Sequence, residues 1–229
     1  MSGAKLQKQQ IGSGIYTIPD IAKILGYPQQ KVRRYIKDYW DDQIGKKLFN
    51  ESYSWKNENV KAVNFYVLIE LYTCFFLREK GASTVSIMKA HESMAKELNT
   101  PYPFASHKVL LAGKRILYEL EELIISADGT KQINFAEIIK EFAKNLDFDK
   151  KNLAVKFWPK GKGNSVVVDP HHQFGQPIIS GTNINAEGIF SMYESSEPVH
   201  AIAILYDLTE KQVLDAINFY KVFDKSIAA

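Results

Sequence analysis

The sequence predicts a mostly α-helical protein with an N-terminal helix-turn-helix domain, winged or not, short β-hairpins in the middle and a C-terminal three-helix domain. Three observations carry this. Ala22, Gly26 and Val32 are spaced by four and then six residues, which suits two short helices crossing at a tight turn. Val60 to Arg78 is apolar almost all round, as in a helix covered on several sides. After Asp169-Pro170 the chain changes character, and three short helical patterns follow in succession. At 229 residues, two small domains fit better than one large one.

The elements follow in order. Residues 1–12 are polar and uncapped, and predict a flexible tail. Thr17-Ile18-Pro19-Asp20 has the form of a capping box, with proline tolerated in the first turn. Ile21, Ala22, Ile24 and Leu25 give an amphipathic helix stopped by Gly26. A second helix runs from near Pro28 to about Tyr39, with Val32, Tyr35 and Ile36 turned inward. Gly45 to Asn59 is polar and reads as a loop or short wing. The apolar helix Val60–Arg78 ends at Gly81, another spans Thr84 to Leu98, and Thr100-Pro101-Tyr102-Pro103 is a break. Lys108 to Asn134 is ambiguous between a helix at Leu117–Leu123 and a hairpin at Asp128-Gly129. Phe135–Leu146 is helical, Leu153–Trp158 and Val166–Val168 pair across a turn at Gly161–Asn164, and helices near Ala186–Tyr193, Glu197–Tyr206 and Thr209–Val222 finish the chain. The organisation is thus 1–12 tail, 13–118 helix-turn-helix and helical dimerisation region, 119–165 connecting α/β segment and 166–229 C-terminal domain.

Composition excludes several classes. Apolar residues at 45% and charged residues at 24% are ordinary for a globular chain. A single cysteine, Cys74, excludes a disulfide framework or a multi-cysteine metal site. MSGAKLQKQQ lacks a signal-peptide core, and the greasiest stretch, interrupted by Glu70 and closed by Arg78, is too short to span a bilayer. A cytoplasmic location is expected, without membrane association. The net charge of +3 hides an asymmetry: residues 1–40 carry seven Lys/Arg against two Asp/Glu, and residues 170–229 carry three against seven. A basic head and an acidic tail suit nucleic acid at one end and protein at the other.

YTIPDIAKILGYPQQKVRRYIKDYW resembles the DNA-binding head of the MerR-like superfamily over about twenty-five residues. On the second helix Gln29, Gln30, Arg33, Arg34 and Lys37 project away from Val32 and Ile36. Arg can grip guanine and Gln adenine in bidentate fashion, while other contacts hold phosphates. Thr17 joins this set, and Lys46 and Lys47 are expected as wing contacts to the DNA backbone.

Residues 166–222 resemble a second family, a small helical domain numbered 433 among domains of formerly unknown function. The resemblance lies in Asp169-Pro170, Gly175 to Pro177, Gly181-Thr182 and Leu208-Thr209 with Val213. Phe157-Trp158-Pro159 and Pro103-Phe104 fit its longer members. The resemblance implies a VapB-type antitoxin paired with a PIN-like ribonuclease toxin. Many members follow Gly-Thr with Arg, where this chain has Asn183, so no single neutralising residue is assigned. The candidate toxin-binding region comprises Asp169, Pro170, Gly175, Pro177, Gly181, Thr182 and Asn183, with Lys221 and Lys225 added by charge alone.

Other chemistry is unsupported. His171 and His172 are adjacent in an extended segment and should point apart, so no metal is expected. Cys74 with His107 is a poor nucleophile pair, because Tyr72, Phe75 and Phe76 surround the thiol in sequence. Asp41-Asp42 and Glu121-Glu122 face different directions on a helix, and Gly161-Lys162-Gly163-Asn164 lacks the helix a phosphate loop needs. The expectation is a non-enzymatic, cofactor-free, DNA-binding antitoxin, a homodimer or larger, that represses its own operon and neutralises a PIN-like toxin. The alternatives are a MerR-like regulator with a ligand- or protein-sensing C-terminal domain, and an assembly protein whose helix-turn-helix only packs.

Overall fold

The computed structural model describes residues 13–57, 60–106, 141–142 and 144–227, with only the backbone described at 57 and 222–227. The 1–12 tail, His107, the ambiguous Lys108–Asn134 segment and most of the Phe135–Leu146 helix lie outside these residues. Among the described residues the fold is an α/β mixture, in which helices are joined by two small antiparallel sheets.

β1 (Tyr16–Thr17) leads straight into α1 (Ile18–Leu25). The predicted capping box forms: Asp20 N–H donates to Thr17 Oγ1 at 3.4 Å, and Thr17 N–H donates to Asp20 Oδ2 at 2.9 Å. Such a cap stabilises a helix by about 1 kcal/mol. Gly26 ends the helix in the left-handed region at φ 76°, and its N–H and that of Tyr27 both donate to Ala22 O. α2 (Gln29–Arg34) follows and continues without a break into a π-helical stretch, Tyr35–Phe49.

That continuation corrects the sequence reading, which ended the second helix near Tyr39 and opened a loop at Gly45. Gly45 is not a helix breaker here. A Cβ at this position would overlap the carbonyl oxygens of Glu51 and Trp40, so glycine permits the returning chain to pass closely. Buried Asp41 fastens that returning chain, accepting from Ser54 N–H (2.9 Å), Ser54 Oγ (2.7 Å) and Lys61 Nζ (2.8 Å). The stretch ends at Asn50 with φ 54°.

β2 (Trp55–Asn57) and β3 (Val60–Val63) then form a hairpin, with β1 on the other side of β3 and Tyr16 opposite Val63. The first residues of the apolar Val60–Arg78 run are therefore strand, and α3 (Phe65–Glu79) begins after Asn64, whose side chain accepts from Val67 N–H at 3.0 Å. α3 is the centre of the larger core. Phe65, Val67, Leu68, Ile69, Leu71, Cys74 and Phe75 are buried within the chain, alongside Trp40, Phe104 and Phe157. α4 (Thr84–Glu97), capped by Ser83, packs beside it. Glu70, fully buried, accepts from Phe104 N–H (2.8 Å) and Ala105 N–H (3.2 Å), with His91 Nε2 2.7 Å from its other oxygen. The acid that interrupts the apolar run thus anchors the chain at the Pro101–Pro103 break.

The second sheet has the order β4 (Leu146–Phe148), β5 (Ala154–Phe157), β6 (Val166–Val168), β7 (Pro177–Ile179), all antiparallel. Leu146 is a strand residue, not the end of the helix predicted from Phe135. The predicted pairing of the Val166 strand with the one before it is present, with Phe157 opposite Val168. Pro177 sits on the edge strand, where a missing N–H does no harm. α5 (Ala186–Glu194), α6 (Val199–Tyr206) and α7 (Glu210–Ile227) pack around Ile179, Ile189, Ile202, Val213 and Ile217. The predicted Thr209–Gln212 box opens α7. This unit is thus three helices plus two strands rather than three helices alone.

Candidate nucleic-acid interface

α1 packs against α2, and Ala22 and Val32, with Ile36 on the stretch that continues α2, are all buried in the same core. That contact turns the opposite face of α2 outward. Gln29, Gln30, Arg33, Arg34 and Lys37 are all exposed, and with Asp38 they line a shallow open hollow of about 450 Å³. Gln29, Arg33 and Lys37 form one row at helical spacing, and Gln30 and Arg34 a second. Among the described residues, Arg33, Arg34 and Lys37 make no salt bridge. The Arg34 guanidinium lies 5.7 Å from the centre of the Tyr35 ring, and exposed cations outside ion pairs are available to phosphate or to guanine edges.

Lys31, on the same helix, takes no part in this face. Its ammonium lies 3.9 Å from the centre of the Tyr27 ring and 4.8 Å from that of Phe75. Burial lowers its pKa against the opposing pull of Glu79. Tyr27 in turn donates to Glu79 on α3. Sequence reading missed this anchor, because Tyr27 stands in the turn before α2 and no helical spacing links it to Lys31.

The other predicted DNA contacts are placed differently. The Thr17 hydroxyl donates to Asp20 Oδ2 at 2.6 Å and serves as a helix cap. Lys46 and Lys47 stand on the last turn of the π-helical stretch, not on a wing, and pair with Asp42 and Glu92. The wing-like element is the β2–β3 hairpin, where Lys56 is exposed and Lys61 is tied to Asp41. No strict alternation marks it in the sequence, since Ala62 and Val63 are both apolar and both buried while Val60 is exposed.

In the C-terminal unit the motif residues divide. Asp169, Pro170, Gly175 and Pro177 are buried. Burial alone would raise the Asp169 pKa, but the His171 N–H bond at 3.0 Å and Lys156 at 3.3 Å overcome it and hold the carboxyl below its ordinary value. His171 and His172 do not point apart as expected, because the turn folds both Nδ1 atoms onto Asp169, at 3.3 and 3.2 Å. Among the described residues no group of His, Cys, Asp and Glu has the arrangement of a metal site. Gly175 lies against Tyr16 from the head, and Ile15 N–H donates to Phe174 O at 3.0 Å. Thr182 closes the turn into α5, its hydroxyl donating to Ile179 O at 2.8 Å, with Gly181 and Asn183 exposed beside it. Lys221 bonds the Tyr193 hydroxyl at 2.9 Å, and the Lys225 side chain lies outside the described residues. The candidates therefore do not form one surface. Cys74 is buried, and burial pushes its thiol pKa far up, which leaves it unreactive.

These features define a pair of short helices joined at a glycine turn, with an exposed basic face, in a chain that ends in a small, acidic C-terminal unit. Residues 166–220 match the model of a family described as a protein of unknown function, DUF433. Over 170 residues, 67% of this chain and 70% of the relative, the sequence is 24% identical to a protein of Mycobacterium tuberculosis (strain ATCC 25618 / H37Rv) named "Putative antitoxin VapB45". The fold is similar to the X-ray crystal structure of Rv2018 from Mycobacterium tuberculosis, with a TM-score of 0.72 at 18% identity, covering 92% of this chain and 99% of that one. No helix among the described residues is long and apolar enough to cross a membrane.

Proposed function

We propose that this protein is a non-enzymatic, DNA-binding antitoxin that represses its own operon and neutralises a partner toxin, a PIN-like ribonuclease. The observation that supports the DNA half is the exposed face of Gln29, Gln30, Arg33, Arg34 and Lys37 on α2 and the stretch that continues it. The toxin half is supported by the relative that bears an antitoxin's name and by the DUF433 match over the C-terminal unit. α3 is covered within its own chain, so the self-association that pairs two heads uses other surfaces. Two such heads would read half-sites about 34–36 Å apart.

The test is titration of the purified chain with its own promoter fragment at several salt concentrations. The log of affinity should fall by roughly 0.9 per phosphate contact for each log unit of salt. Affinity for the promoter no greater than for an unrelated fragment of equal length contradicts the proposal.

A further inference from the structure

The C-terminal unit contains a second helix-turn-helix. Ala203, Asp207 and Val213 repeat the four-and-six spacing of Ala22, Gly26 and Val32. The geometry repeats as well. Ala203 and Val213 are buried at the crossing of α6 and α7. Asp207 takes the left-handed conformation at φ 52°, in the place of Gly26 at φ 76°. Leu208 N–H donates to Ala203 O at 2.9 Å, as Tyr27 N–H donates to Ala22 O at 3.1 Å. An aspartate in the turn hides this pattern from a search that expects glycine, and aspartate tolerates the conformation.

The two outward faces differ. In register with Gln29, Gln30, Arg33, Arg34 and Lys37 stand Glu210, Lys211, Leu214, Asp215 and Asn218. Two of these are consumed internally. Asp215 Oδ2 accepts from Ser165 N–H (2.8 Å) and Ser165 Oγ (2.7 Å), and Lys211 Nζ bonds Asp215 (2.7 Å) and Gly163 O (3.2 Å). Glu210, Leu214 and Asn218 remain outward, so a DNA backbone here would meet a carboxylate and a leucine instead of cations. Among the described residues, three of the six large apolar side chains left exposed lie on this helix pair: Ile204 at 79%, Leu205 at 65% and Leu214 at 44%. Large apolar side chains exposed on one helix pair favour a protein contact over a nucleic-acid one.

We infer that this second helix-turn-helix is a protein-docking face, and that its occupant is a partner protein with an apolar recess rimmed by Lys and Arg. The charge argument is direct: residues 170–229 carry seven Asp/Glu against three Lys/Arg. Glu197, Asp207 and Glu210 lie exposed on and beside the two helices. Any enzyme that holds RNA needs a cationic surface for its phosphates. An acidic face with leucine and isoleucine anchors complements such a surface, the charges steering encounter and the apolar groups supplying the hold. The inference rests on the antitoxin reading and names the surface through which it would work.

The experiment uses the full chain and, as probes, the purified proteins encoded by the two reading frames flanking its gene. Binding is measured by calorimetry for the wild type, for Ile204→Lys/Leu214→Lys and for Asp207→Asn/Glu210→Gln, with promoter binding measured in parallel. The Lys variant should bind the partner at least 100-fold more weakly. The second variant should bind severalfold more weakly, with a flatter salt dependence. Both should keep promoter affinity within twofold and keep the thermal midpoint, because all four residues are exposed. Unchanged partner affinity in the Lys variant, with the wild-type complex intact, overturns the docking face and leaves the antitoxin reading standing. Loss of promoter binding instead of partner binding overturns it in favour of DNA readout. A change confined to self-association, seen by sedimentation, overturns it in favour of a contact between copies. A wild-type chain that binds neither probe overturns both the antitoxin reading and the docking face.

Discussion

Gly175 and Tyr16 touch so closely that a Cβ at position 175 would overlap the tyrosine hydroxyl, and Gly175 itself holds φ at +89°. The tyrosine belongs to the first strand of the head, the glycine to the motif of the C-terminal unit. The Asp-Pro to Gly-x-Pro segment therefore works as a seat that joins the two units. The exposed Lys23–Glu187 pair across the same seam, 2.7 Å apart, adds little by comparison.

Gly175→Ala should destabilise the chain by about 2–3 kcal/mol in urea unfolding, since it combines overlap with a strained backbone. Tyr16→Phe should be neutral or stabilising by up to about 1 kcal/mol, because its buried hydroxyl has no hydrogen-bond partner among the described residues. Combined, Tyr16→Phe should recover part of the Gly175→Ala loss. Strict additivity in the double-mutant cycle would show that the two positions do not share the contact.

Asp169 sets a pH dependence. Its folded pKa lies below the ordinary carboxylate value of 3.8, so its contribution is complete above that value and is lost as pH falls through the lower, folded one. Asp169→Asn should therefore narrow the stability difference between pH 6 and pH 3 measured by denaturant unfolding. An unaltered pH profile would mean that the carboxylate is no better stabilised in the folded chain than in the unfolded one.

Glu70→Ala should cost about 3–5 kcal/mol, because it strands the N–H groups of Phe104 and Ala105 and leaves buried His91 without its acid. Unfolding by guanidinium measures this directly. A loss under 1 kcal/mol would mean that water reaches these groups.

Arg33→Ala/Arg34→Ala should weaken promoter binding by about 1–3 kcal/mol for each base contact removed. Lys46→Ala/Lys47→Ala should weaken it less, as both lysines already face acids on their own side of the molecule. Fluorescence anisotropy with labelled promoter separates the two pairs. The reverse order would move the DNA surface to the end of the π-helical stretch.

What the sequence made legible was local. Ala22, Gly26 and Val32 could be read because a short helix, a turn and a crossing contact lie within eleven residues. The capping boxes at Thr17 and Thr209 were legible for the same reason. The extension of the second helix to Phe49 was not, since it depends on Asp41 meeting Ser54 and Lys61, a tertiary contact with no periodic signature. At Val60–Val63 an apolar run alone does not distinguish strand from helix. Tyr16 gave no hint of its role, because its partner Gly175 is remote in sequence. Ala203, Asp207 and Val213 were overlooked because the turn residue is not glycine.

The most direct test of the account is growth. Each reading frame flanking the gene is induced alone and then together with this chain, and the complex is purified. The account predicts that one neighbour arrests growth, that the chain restores it, and that the two co-purify in a fixed ratio. Arrest by neither neighbour, or arrest that the chain does not relieve, would contradict it.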